Sequence, residues 1–259
     1  MLAHGVRSSG TMWRAQVEAL EAAGHRAVAV DLPGHGAVRS ERFTLNGAVD
    51  RIAATIDDIG GRALVVGLSL GGYVAITHAA RRPEQVAGLV AADCSTRPLR
   101  AVVGGWILLA RGIGLLPDRG AGLNQFMVDL TLAKEAAVDV GAGGFALEVM
   151  DDVLREVGRA RPLEDLARVP APVWILNGRL DHFRGEERRF LRACRDGRLV
   201  VLRGARHLSS LDAPVAFTRV LLEAVDELEG REPASGSPVV DAAVTAGTAD
   251  AGVGPVRVP

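Results

Sequence analysis

The sequence predicts an α/β fold, a mostly parallel central sheet with helices on both faces. Two observations predict it. Short apolar runs alternate with segments of helical spacing at both ends of the 259-residue chain. Several of these runs stop at a residue able to do chemistry, namely His4, Asp31, Ser69 and Asp93, as in sheets that gather their sites at the carboxyl ends of parallel strands. A third observation sets the domain plan. The alternation lapses over 96–161, which predicts a helical insertion between two strands.

Taken in order, Met1-Leu2-Ala3-His4-Gly5 reads as the end of a strand running into a glycine turn. Residues 12–23 have helical spacing through Trp13, Val17 and Leu20 and stop before Gly24. Residues 26–31 form an apolar, β-branched run, followed by the loop Leu32-Pro33-Gly34-His35-Gly36. A helix is expected over 45–59, ended by Gly60-Gly61. The apolar run 62–66 is a buried strand, 73–80 a helix that stops near Arg82-Pro83, and 86–92 a further strand closing at Asp93.

The insertion carries Trp106, Leu108, Leu115, Phe126, Phe145 and Met150 at helical spacing. Glycines at 104–105, 112, 114, 141 and 143–144 are expected to break it into short helices. It reads as a cap on the edge that holds the candidate site, with Trp106 able to line a pocket. The plainer reading is a helical subdomain that touches no substrate. Strands then return at 172–176 and 198–202, with helices at 186–194 and 213–228. The expected domains are a core of 1–95 and 166–229, a helical cap of 96–165, and a disordered tail of 230–259, where Ala, Gly, Pro, Ser, Thr and Val follow no period.

Composition removes several functions. The formal net charge is −1, and the arginines are scattered among acids, so nothing favours nucleic acid or an anionic membrane. The most apolar stretch, 101–110, is too short to span a bilayer. No basic segment followed by a long apolar one marks a signal peptide. Cys94 and Cys194 form no CxxC pair, which argues against a disulfide framework or zinc site and for a reducing, cytoplasmic location.

The chemistry is organised around Gly67-Leu68-Ser69-Leu70-Gly71-Gly72. A Gly-x-Ser-x-Gly run between strand and helix is the context of the nucleophile elbow, which thrusts a serine clear of the sheet. Serine is a weak nucleophile at neutral pH and needs a base, and the base needs a group to hold its tautomer. The elbow motif orders these partners Ser, then Asp or Glu, then His. Asp181 follows one later strand in a turn with Gly178, and His207 follows the next in a turn with Gly204. The expected site is therefore Ser69 as nucleophile, His207 as base and then acid, and Asp181 as its orienting carboxylate. Asp93 is a rival for the acid. The backbone N–H groups of Leu70 and Val6 are the expected oxyanion donors. His182 reads as rim, His4, His35 and Asp31 as groups that shape loops, and Trp13 and Trp174 as core.

On His4-Gly5, Asp31-Leu32-Pro33-Gly34-His35-Gly36, 67–72, 177–181 and 204–207, the sequence resembles the α/β-hydrolase superfamily, in the branch with a helical cap. The resemblance runs from the first residues to about 228. It implies an esterase-like hydrolase acting through an acyl-serine, with no cofactor and no metal. Family members carry two further strands before the His-Gly strand. The expectation is a shortened variant or a downstream start, with a sheet edge exposed at 27–30. The substrate expected is a small, fairly apolar ester, and a homodimer is compatible with the reading. The same fold also hosts thioesterases, C–C hydrolases, perhydrolases and acyltransferases. A second reading is a non-catalytic protein that binds a small apolar ligand in the pocket, and the complete set of Ser69, Asp181 and His207 counts against it.

Overall fold

A computed structural model describes residues 1–230; the expected tail beyond them lies outside the described residues. The first half of the chain runs β1 (Leu2–Ala3), α1 (Arg14–Ala22), β2 (Ala29–Val30), α2 (Leu45–Asp58), β3 (Ala63–Leu68), α3 (Leu70–Arg81) and β4 (Val86–Ala92). Five helices follow: α4 (Arg100–Gly114), α5 (Ala121–Thr131), α6 (Lys134–Ala142), α7 (Met150–Val157) and α8 (Pro162–Leu166). The chain then returns to the sheet with β5 (Val173–Gly178), α9 (Glu187–Ala193), β6 (Gly197–Leu202), α10 (Ser209–Asp212) and α11 (Pro214–Leu228).

The strands pair in parallel in the order β2-β1-β3-β4-β5-β6. From β1 the chain steps outward to β2, crosses back to β3 on the other side of β1, and continues one way to β6. That reversal is a topological switch point. The connections leaving β1 and β3 diverge there and open a crevice at the carboxyl ends of the two strands.

Strand alternation builds a core on each face. Val65, Leu89, Ala91, Val173 and Ile175 pack with Ile52 and Ile56 of α2, Val74 and Ile76 of α3, and Phe190 of α9. Val66, Leu68, Val90, Trp174 and Leu176 face the other way, onto Trp13, Leu20, Phe217 and Leu221. Each fully buried large side chain contributes roughly 1.5–3 kcal/mol, so the two cores, more than helix propensity, hold the layers in place. Thr44 caps α2 by accepting from the Gly47 N–H at 3.0 Å. Trp13 and Trp174 are core residues, as expected.

Three expectations are corrected. The strand expected over 26–31 is only Ala29–Val30, because it sits at the sheet edge and its one partner, β1, offers a ladder of just Leu2 and Ala3. The helix expected over 12–23 opens with a tight 3-10 turn, Gly10–Trp13, and becomes α-helical at Arg14. The glycines do not break α4, which runs through Gly104, Gly105 and Gly112. A mid-helix glycine costs about 1 kcal/mol. Here α4 lies along α7.

The α4–α8 segment is tied to the rest of the chain by polar contacts. Arg14 pairs with Asp139 at 2.7 Å, Arg42 with Asp152 at 3.0 Å, and the Leu45 N–H donates to Glu156 at 3.0 Å. No helix among the described residues is long and apolar enough to cross a membrane.

Candidate active site

The turn between β3 and α3 holds Ser69 at φ 54° and ψ −112°, a region that non-glycine residues rarely occupy. Such strain costs of order 1–3 kcal/mol and persists only where the surroundings enforce it. Here the Ser69 N–H donates to the Ala92 carbonyl at 2.8 Å, and the Gly71 N–H donates to the His4 carbonyl at 3.1 Å. The flanking glycines are required by close approach. A Cβ on Gly67 would stand 2.2 Å from the Gly71 oxygen, and one on Gly71 would stand 2.3 Å from the Ala3 oxygen.

His207, beyond the end of β6, reaches back across the sheet edge. Its Nε2 lies 3.0 Å from Ser69 Oγ, and its Nδ1 lies 2.9 Å from Asp181 Oδ1. A carboxylate can only accept, so the ring proton sits on Nδ1 and the Nε2 lone pair faces the serine hydroxyl. Three residues separated by much of the chain thus form one hydrogen-bonded line. The Asp181 side chain is fully buried, and its Oδ1 also accepts from the Phe183 N–H at 3.0 Å. The Phe183 ring lies 4.8 Å from the His207 ring, and His182 lies 5.0 Å from it on a half-exposed rim.

Asp93, the rival acid, does not reach His207. One of its oxygens accepts from the Gly178 N–H at 2.9 Å and the other from the Ser209 N–H at 3.0 Å. It ties together the loops that carry Asp181 and His207. Burial pushes its carboxyl up to about 7, against a smaller opposing effect of these two hydrogen bonds.

His4 and His35 shape loops, as expected. His4 donates from Nδ1 to the Gly5 carbonyl at 2.7 Å and accepts the Leu32 N–H at Nε2, 3.0 Å away. Burial lowers its pKa to about 3. His35 Nδ1 meets the Pro33 carbonyl at 3.0 Å. Asp31 accepts from the Gly10 and Ala37 N–H groups at 2.7 and 2.8 Å.

The loop leaving β1 passes against the nucleophile: a Cβ on Gly5 would lie 3.8 Å from that of Ser69. Among the described residues, neither the Leu70 N–H nor the Val6 N–H donates to a protein acceptor. Trp106 lies 43% exposed on α4. A cavity of about 760 Å³ between α4, α7 and α8 is lined by Leu99, Val103, Ile107, Leu163 and four arginines, but not by Trp106, Ser69 or His207. One further contributor escaped the sequence reading. Phe183 had a usable signal, since an Asp commonly accepts from the N–H two residues on.

Comparison with known proteins agrees with this architecture. The chain is 37% identical over 97 residues to Epoxide hydrolase B of Mycobacterium tuberculosis, covering 35% of this chain and spanning only 27% of that protein's length. It is 30% identical over 211 residues to a pimeloyl-[acyl-carrier protein] methyl ester esterase of Pectobacterium carotovorum, covering 70% of this chain and 75% of that one. A thermophilic esterase from Thermogutta terrifontis shares the fold, with a TM-score of 0.71 at 22% identity over 88% of this chain and 89% of that one. The model of the alpha/beta hydrolase family matches residues 1–220, and with it the chain belongs to that family.

Proposed function

We propose that the chain is a serine hydrolase that cleaves a small, fairly apolar carboxylic ester through an acyl-serine intermediate. The observation that carries this reading is the line from Ser69 through His207 to Asp181 at 3.0 and 2.9 Å, standing at the sheet's switch point. His207 takes the Ser69 proton as the hydroxyl attacks the ester carbonyl, then gives it to the departing alcohol. In the second half a water attacks the acyl group and loses its proton to His207, which returns it to Ser69 Oγ as the acyl–serine bond breaks and the acid departs. Asp181 holds the ring and offsets the imidazolium charge. The Leu70 and Val6 N–H groups receive the developing oxyanion.

In this reading residues 96–165 are a cap over the core of 1–95 and 166–229, and no cofactor takes part. The apolar content of 96–165 is the sequence feature that favours an acyl or alkyl group held by burial. The methyl ester esterase that aligns over most of the chain supports ester chemistry. Two buried, unpaired cysteines support a reducing, cytoplasmic setting. The test is Ser69→Ala on a short p-nitrophenyl ester, paired with a fluorophosphonate probe. The variant should fold and lose turnover, and the probe should label the wild type at Ser69 alone. Retained turnover, or a folded wild type that resists labelling, would remove Ser69 from the mechanism.

A further inference from the structure

We propose that Asp181, His182 and His207 form an inhibitory site for a divalent transition-metal ion of the zinc type. One donor atom from each of the three residues lies within 4.8 Å of the others. His182 Nδ1 is 3.6 Å from Asp181 Oδ1, and His207 Nδ1 is 2.9 Å from the same oxygen. Two imidazoles and one carboxylate suit Zn²⁺ and leave a coordination position for water. A second observation points the same way. Asp181 Oδ2 is buried with no hydrogen-bond partner among the described residues, so the carboxylate whose Oδ1 faces both histidines keeps acceptor capacity unused. The His182 side chain is 63% exposed beside the fully buried Asp181, which gives an ion a path from solvent.

The consequence follows from the tautomer of His207. Without an ion, the ring carries its proton on Nδ1 and offers the Nε2 lone pair to Ser69. An ion bound at Nδ1 uses that nitrogen's lone pair. The neutral ring then holds its single proton on Nε2, moved there through solvent with no net gain or loss of protons or electrons. Nε2 becomes a donor and has no lone pair for the Ser69 proton. The ion thus stops the reaction by locking the base in the wrong tautomer, and chelation reverses it.

The inhibitory effect rests on the reading of His207 as base, but binding does not, so the two are tested separately. Calorimetry with ZnCl₂, and visible absorption with CoCl₂, on the Ser69→Ala chain should show one bound ion. Adding His182→Ala should weaken binding by at least roughly tenfold, the lower end of what losing even a ligand's hydrogen-bond partner costs. In the active chain Zn²⁺ should inhibit ester hydrolysis and EDTA should restore it. His182→Ala, scored against its own metal-free rate, should resist Zn²⁺. Failure to bind one ion, or binding and inhibition unchanged by His182→Ala, overturns the proposal. Binding that depends on His182 in a chain without esterase activity would support the site and count against the proposed function.

Discussion

Replacing Asp181 by Asn keeps the shape of the side chain and removes its charge. In the proposed mechanism an imidazolium forms at His207 when the ring takes the serine proton. It forms beside a fully buried carboxylate whose oxygen lies 2.9 Å from Nδ1. Two unit charges about 4 Å apart interact by about 4 kcal/mol at an effective dielectric of about 20. Losing that attraction in the transition state slows turnover by about three decades. Asp93→Asn is the matched comparison. Its two oxygens accept from Gly178 and Ser209, and an amide can accept from only one of these buried N–H groups. The orphaned donor costs about 1–3 kcal/mol of stability. Because Asp93 does not touch His207, kcat of the folded variant should stay within about tenfold of wild type. The assay is kcat on p-nitrophenyl butyrate for both variants, with folding checked by circular dichroism. The reasoning fails if folded Asp93→Asn loses about as much kcat as Asp181→Asn is expected to lose. It also fails if Asp181→Asn stays within about tenfold of wild type.

Two further outcomes follow from the elbow and from the buried histidine. Gly71→Ala puts a Cβ 2.3 Å from the Ala3 oxygen and 2.8 Å from the His4 oxygen, forcing β1 away from the elbow. Its urea midpoint should fall by the equivalent of about 3 kcal/mol or more, and an unchanged midpoint would show that the turn can relax. Protonating His4 would turn its Nε2 into a donor facing the Leu32 N–H. Its pKa is lowered from 6.5 to about 3, so the unfolded chain binds more protons between those values. This contribution is complete above about pH 6.5 and is lost as pH falls towards about 3, amounting to at most about 5 kcal/mol. Asp93 works in the opposite sense. Its raised pKa gives a contribution present below its ordinary 3.8 and lost as pH rises through about 7. NMR of the imidazole nitrogens should find His4 neutral at about pH 5, and a titration midpoint above about 6 would contradict the burial argument.

Much of the candidate site was legible because it depends on local rules. A glycine-flanked serine between an apolar strand and a helix has few other conformations. Asp181 and His207 could be placed because each lies within a few residues of a strand's end, and parallel strands end on one edge. Lengths of secondary structure were less legible where they depend on a partner. Nothing within 26–31 says that β2 stops at two residues; the short β1 beside it does. Nothing within 100–114 says that the helix continues through its glycines or that it lies along α7.

By itself, the sequence determined the class of fold, the order of its elements, and a serine, an acid and a histidine at strand ends. Which acid meets the histidine was decided only by tertiary structure. Asp93 and Asp181 both follow strands, β4 and β5, that are hydrogen-bonded neighbours. They differ in what surrounds them. At φ 51° Asp93 faces two backbone N–H groups, while Asp181 turns back over its own loop towards His207. A carboxylate accepts from whichever donors the fold brings to it, and those donors lie on segments far away in the chain.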